Sequence, residues 1–179
     1  MKGVLFMLLI HDLTKENSSD ILSLLPPKTK ILSKEINNIH PCCGCFNCWT
    51  KTPGKCIIND SYTEMPKYIL HSNVFVIITK IYYGCYSPYI KNVIDRSIGI
   101  LLPFFQKING EIHHIYRYNQ SPKLVVIGYG EDITSNEETT FKALIKANSL
   151  NLNFKDYKTF IVNDISKIKE ILDNLSRNP

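Results

Sequence analysis

The sequence has no apolar run long enough to cross a bilayer, which takes about 20 residues. Its apolar opening, residues 4–10, ends where His11 and Asp12 begin. A secretory signal wants a longer apolar stretch and a small-residue cleavage site. A buried strand in a cytoplasmic protein, with no membrane partner, is therefore expected. Repeats and low-complexity linkers are also lacking. Basic residues outnumber acidic ones, 21 to 16, for a net charge of +5. They are scattered, without the aromatic-basic stripe of a nucleic-acid face, so no nucleic-acid partner is expected. The mild positive charge does suit an anionic cofactor or an acidic partner protein.

What is present suits one domain. The 179 residues, 44% of them hydrophobic, are enough to bury a real core. Residues 4–10, 74–79 and 124–127 are unbroken apolar runs rich in Val and Ile. Such runs read as strands of a parallel sheet covered on both faces. Residues 30–36 and 154–162 are weaker strands. Helical patterns alternate with them. Ser87-Pro88 supplies an N-cap and a proline at the first helical position, and Ile90, Val93, Ile94 and Ile98 share one face. Ser135 to Glu138 reads as a capping box, and Ser61 to Glu64 as another, with Thr63 as the alternative start because of Pro66. A short helix is expected over residues 18–24, and a last one from about Asp164. Five parallel strands with right-handed crossovers give a doubly wound α/β sandwich. Ligands of such sheets sit beyond the carboxyl ends of the strands, here at loops 11–19, 80–87 and 128–134.

Cysteine is concentrated rather than scarce. Cys42, Cys45, Cys48 and Cys56 have the spacing C-x2-C-x2-C-x7-C. This could make a four-thiolate set for an iron–sulfur cluster, hold zinc, do redox chemistry, or remain reduced without a metal. Reduced thiols in the cytoplasm point to metal or redox chemistry rather than a disulfide framework. Cys43 breaks the even gaps and reads as a bystander.

The run from Ile81 to Arg96, Ile-Tyr-Tyr-Gly-Cys-Tyr-Ser-Pro-Tyr-Ile-Lys-Asn-Val-Ile-Asp-Arg, resembles the third-strand loop and helix of the NADPH-dependent FMN reductase family. The cysteine loop, followed by Gly54-Lys55-Cys56, is similar to the iron–sulfur flavoprotein branch of that group, which carries a [4Fe-4S] site. The resemblance implies one flavodoxin-like domain over residues 1–179. It would be a three-layer sandwich with five parallel strands in the order 2-1-3-4-5, a cysteine-rich loop at 40–58 and an excursion at 101–118. It implies FMN at the three loops: Thr14, Asn17, Ser18 and Ser19 around the phosphate, Ile81, Tyr82, Tyr83, Gly84 and Cys85 at the ring, and Gly128, Tyr129 and Gly130 as the third loop. Trp49 and Cys48 would approach from the cysteine loop, of the same chain or of a partner subunit. It further implies Cys42, Cys45, Cys48 and Cys56 as cluster ligands, NAD(P)H or a redox partner protein as electron donor, and a homodimer or homotetramer. Where relatives open with Gly-Ser-x-Arg, this chain has His11-Asp12-Leu13-Thr14, and Asp12 and Glu16 oppose an anion unless turned away. A flavodoxin-fold binding or regulatory module without FMN, and a zinc-stapled structural domain, are the alternative readings.

Other polar residues have plainer readings. Cys85 fills a turn, and His113-His114 suits strand pairing. Asp95-Arg96 reads as a helix-end pair. In the excursion, Gly110 and residues 113–118 suggest a hairpin, with Phe104 and Phe105 as interface or flavin-cover residues.

Overall fold

A computed structural model describes residues 7–154 and 156–177. Val4 to Phe6 of the expected first strand therefore lie outside the described residues. Five parallel strands form one sheet: β1 (Met7–His11), β2 (Thr29–Ser33), β3 (Val74–Lys80), β6 (Lys123–Tyr129) and β7 (Tyr157–Val162). Their order is β2-β1-β3-β6-β7, the order expected once the excursion is set aside. β1, β3 and β6 lie in the interior, which is why their sequences are continuously apolar rather than alternating. Met7 to Ile10 and Phe75 to Ile78 are 0–1% exposed.

Two cores follow from the two sheet faces. Leu8, Ile10, Phe75, Ile77 and Val126 pack under α2 (Met65–Leu70), α3 (Pro88–Arg96) and α4 (Ser135–Asn151). Met7, Leu9, Val76, Ile78 and Ile127 pack under α1 (Lys15–Leu22) and α5 (Ser166–Arg177). The Ser87 hydroxyl caps α3 by accepting from the Ile90 amide, as the sequence indicates. Lys91 and Asp95 pair at 2.6 Å on its outer face. The α4 capping box is one residue earlier than expected, Thr134 with Glu137 rather than Ser135 with Glu138. Both registers carry a hydroxyl followed three residues later by a glutamate, so spacing alone does not choose between them. No capping box opens α2. Thr63 instead closes a turn by accepting from the Asp60 amide, and Pro66 takes a first-turn position where its missing N–H costs nothing.

The excursion is a hairpin, β4 (Leu101–Ile108) and β5 (Glu111–Tyr116), joined by Asn109 and Gly110. Both turn residues have positive φ, 50° and 91°, the two-residue turn whose twist matches an antiparallel pair. Phe104, Phe105 and Ile112 are 62%, 63% and 67% exposed on it. His113 is a strand residue bonded to Asn151 and Glu111, in keeping with its pairing role. No helix among the described residues is long and apolar enough to cross a membrane.

Candidate functional site

The sheet order reverses between β1 and β3, and a crevice opens at such a switch point. Here a cleft of about 630 Å³ lies at the carboxyl edge. Thr14 and Asn17 enter from the start of α1, Lys80 and Ile81 from the end of β3, and Tyr129, Gly130, Glu131, Asp132 and Ile133 from the loop after β6. Glu137 of α4 and Asn163, Asp164 and Ile165 after β7 complete it. The structure thus brings together Thr14, Asn17, Ile81, Tyr129 and Gly130 of the expected site.

The remaining expected residues do not line the cleft, though Tyr82 and Tyr83 lie at its edge: the Lys80 ammonium sits 5.6 Å over the Tyr82 ring, and the Tyr83 amide bonds to Glu137. Ser18 and Ser19 donate their hydroxyls to the Lys15 and Glu16 carbonyls inside α1. Tyr82, Tyr83, Gly84 and Cys85 form a tight turn closed by two backbone bonds between Tyr82 and Cys85. Tyr83 is 93% exposed at its tip. Gly84, at φ 74°, packs closely against α4, where a Cβ would lie 2.7 Å from Thr140 Cβ. Gly128 likewise makes room for Ile81 and Phe141, 2.7 and 2.8 Å from its would-be Cβ. Lys80 opens the expected loop 80–87, whereas Glu137 and the loop after β7 were missed. The strand boundary at Val162 was the available signal for that loop.

The first loop is better suited to an anion than its composition suggests. Thr14 occupies the N-cap position of α1 but makes no side-chain cap bond. The first-turn amides lack that partner, and Thr14 and Asn17 face the cleft. Asp12 is turned away. Its carboxylate accepts from the Lys80 amide at 3.0 and 3.1 Å, from the Tyr129 hydroxyl at 3.1 Å and from Thr79 at 3.3 Å. Burial pushes the Asp12 pKa up, against the pull of Ser87, Lys80, Tyr129 and Thr79. Burial first, then the Asp12 charge, raises the Tyr129 phenol. An uncapped helix start with a hydroxyl and a carboxamide beside it has the donor chemistry for the phosphate of FMN.

The cysteines occupy a second cavity, of about 600 Å³, which has no residue in common with the cleft. The cleft holds Glu137 near the start of α4, whereas this cavity holds Asn148 and Asn151 at its end. Eleven helical residues separate Glu137 from Asn148, or roughly 16 Å. Trp49 and Cys48 therefore do not approach the cleft within one chain. The Trp49 indole donates to the Ile98 carbonyl at 3.4 Å and stacks on Phe46. Cys48 lies beside Gly99, whose would-be Cβ is 3.4 Å from Cys48 Cβ.

Cys42, Cys45, Cys48 and Cys56 line this cavity, but the described residues contain no group of three or more His, Cys, Asp or Glu side chains placed to hold a metal. The donor set is soft enough for a cluster, yet its placement does not fit one. Anchors elsewhere set the loop shape. Arg96 donates to the His40 and Ile58 carbonyls and to both oxygens of Asp60. The expected Asp95-Arg96 pair is thus replaced by Arg96-Asp60, a partnership 36 residues apart that no local pattern reveals. Cys43 contacts Cys45 and is among the exposed thiols.

No protein-family model matches the chain. An iron-sulfur flavoprotein of Methanocaldococcus jannaschii is 30% identical over 77 residues, 43% of this chain and 39% of the relative. The match thus spans well under half of that protein's length. Among solved structures, an azoreductase from Bacillus anthracis superimposes with a TM-score of 0.61 at 8% identity, over 95% of this chain and 99% of the other. An NAD(P)H:quinone oxidoreductase from Methanothermobacter marburgensis gives 0.61 at 12% identity, over 97% and 98%. An FMN-dependent NADH-azoreductase of Bacillus anthracis, solved with FMN, gives 0.55 at 14%, over 96% and 99%. The resemblance read from residues 81–96 and the sheet order converge with these likenesses: the chain has the flavodoxin-like fold.

Proposed function

We propose that the chain is an FMN-dependent NAD(P)H oxidoreductase, in one flavodoxin-like domain. The observation that carries this reading is the uncapped start of α1, with Thr14 and Asn17 open to a cleft at the sheet's switch point. Thr14, Asn17 and the first-turn amides would hold the phosphate, while Ile81 and the Tyr129-Gly130 stretch would face the ring. FMN bound there would accept a hydride from a reduced nicotinamide and pass the electrons on. The chain's own task is to bind, orient and exclude water, which requires no acid–base residue. The solved structures named above, azoreductases and a quinone oxidoreductase, are in keeping with it.

The exposed hairpin residues Phe104, Phe105 and Ile112 are costly to leave in water and favour a homo-oligomer. Six free thiols suit a reducing compartment such as the cytoplasm. The test is NADH and NADPH oxidation by FMN-saturated protein with a quinone or azo acceptor. Turnover that depends on added FMN supports the reading, and none with either nicotinamide overturns it. A flavin-free binding module is less favoured because Asp12, one of the two acidic residues of the first loop, bonds to the end of β3.

A further inference from the structure

Asp12 is the best-connected polar side chain at the carboxyl edge, yet it is not part of the cleft surface. It ties together three separate stretches of chain: its own loop after β1, the end of β3 through the Lys80 amide, and the end of β6 through the Tyr129 hydroxyl. A fourth link runs through Thr79. The Thr79 hydroxyl contacts Asp12 and accepts from the amide of Ser87, the N-cap of α3. Lys80 and Tyr129 are neighbours in register and both line the cleft. One carboxylate therefore sets the relative position of two cleft walls from behind. The burial that raises the Asp12 pKa means the fold holds this charge at a cost to itself.

We propose that Asp12 is the positioning residue of the cleft, holding the Lys80 amide and the Tyr129 phenol so that their two loops present one wall to the bound flavin. This rests on the functional reading above, but part of its test does not. The titratable groups beside Asp12 are Tyr129 on β6, Tyr89 on α3 and its chain neighbour His11 on β1. His11 is the one of these that titrates in mild acid, at about 4.

The experiment compares wild type with Asp12→Asn. In flavin-free protein, hydrogen exchange at the Lys80 amide is expected to rise at least tenfold in Asp12→Asn, while Ile77 in mid-strand is unchanged. FMN dissociation constants are expected to rise at least tenfold at neutral pH. As pH is lowered, wild-type affinity should fall further than that of Asp12→Asn, because protonation removes the Asp12 acceptor while the phosphate titrates alike in both. Unchanged Lys80 exchange, unchanged affinity, or an acid loss of affinity as large in Asp12→Asn as in wild type each overturns the proposal; the last assigns the titration to His11 or the phosphate. Should wild type bind no flavin, the functional reading fails, and Lys80 exchange alone decides whether Asp12 positions the wall. Should Asp12→Asn not fold, Tyr129→Phe serves, with Lys80 exchange raised about threefold if the proposal holds and unchanged if it does not.

Discussion

Arg96 and Asp60 form a two-point ion pair, with N···O distances of 2.7 and 2.9 Å. The arginine side chain is 0% exposed and the aspartate 6%. The pair pins the far end of the cysteine loop to the end of α3, and the His40 and Ile58 carbonyls use further guanidinium donors. Fork geometry of this kind suits arginine and not lysine.

Removing one partner strands the other in a buried position. Asp60→Asn or Arg96→Met should destabilise by about 3 kcal/mol or more, read as a shift in urea midpoint. Arg96→Lys should not rescue it. Burial alone would raise the Asp60 pKa, but Arg96 and the His40 and Tyr62 amides outweigh it and bring it down to about 2. A depressed carboxylate contributes stability above its unfolded value near 4 and loses it as pH falls toward 2. The contribution is on the order of 2 kcal/mol and should be absent from the pH profile of Asp60→Asn.

His11 predicts a second acid-sensitive step at higher pH. It is 1% exposed, neither ring nitrogen has a partner among the described residues, and burial lowers its pKa to about 4. The unfolded chain binds that proton near 6.5. Stability is therefore full above pH 6.5 and falls between 6.5 and 4, by on the order of 3 kcal/mol. His11→Leu should flatten this step, measured by urea denaturation across that range.

Tyr62 and Tyr89 hydrogen-bond through their hydroxyls inside the core. Burial pushes the Tyr62 phenol up to about 12. Each single Phe substitution leaves one buried hydroxyl unpartnered and should cost about 1–2 kcal/mol, with the double variant closer to wild type. A double-mutant cycle by thermal denaturation measures the coupling, and strictly additive losses would contradict it.

The thiols should sort by exposure. Cys42, Cys43 and Cys45 are exposed, while Cys48, Cys56 and Cys85 are half-buried. Brief alkylation of native protein with peptide mass mapping should modify the first three ahead of the others. A metal held by the loop would instead protect Cys42 and Cys45 and leave Cys43 reactive.

The scaffold was legible because its signals are local. The continuous apolar runs mark buried parallel strands, and Ser87-Pro88 marks the start of α3. The site was legible only in part. The sequence shows Thr14, Asn17, Ile81 and Tyr129 as candidates, but side-chain direction is tertiary. Nothing in the first loop indicates that Asp12 turns toward Lys80, or that Ser18 and Ser19 turn back into their own helix. The cysteine spacing suggested convergence, and the four thiols do share one cavity, with Cys42, Cys45 and Cys56 in electrostatic range of Cys48. The loop shape depends also on Arg96, contributed by a distant helix.

The most direct test compares FMN with riboflavin in fluorescence titrations of the purified chain. Phosphate binding at the start of α1 predicts that FMN binds at least tenfold more tightly, one per chain, with an affinity that falls as salt rises. Joint substitution of Thr14 and Asn17 by alanine should bring FMN down toward riboflavin and leave riboflavin unchanged. Equal affinity for the two flavins, or uptake of neither, would contradict the account.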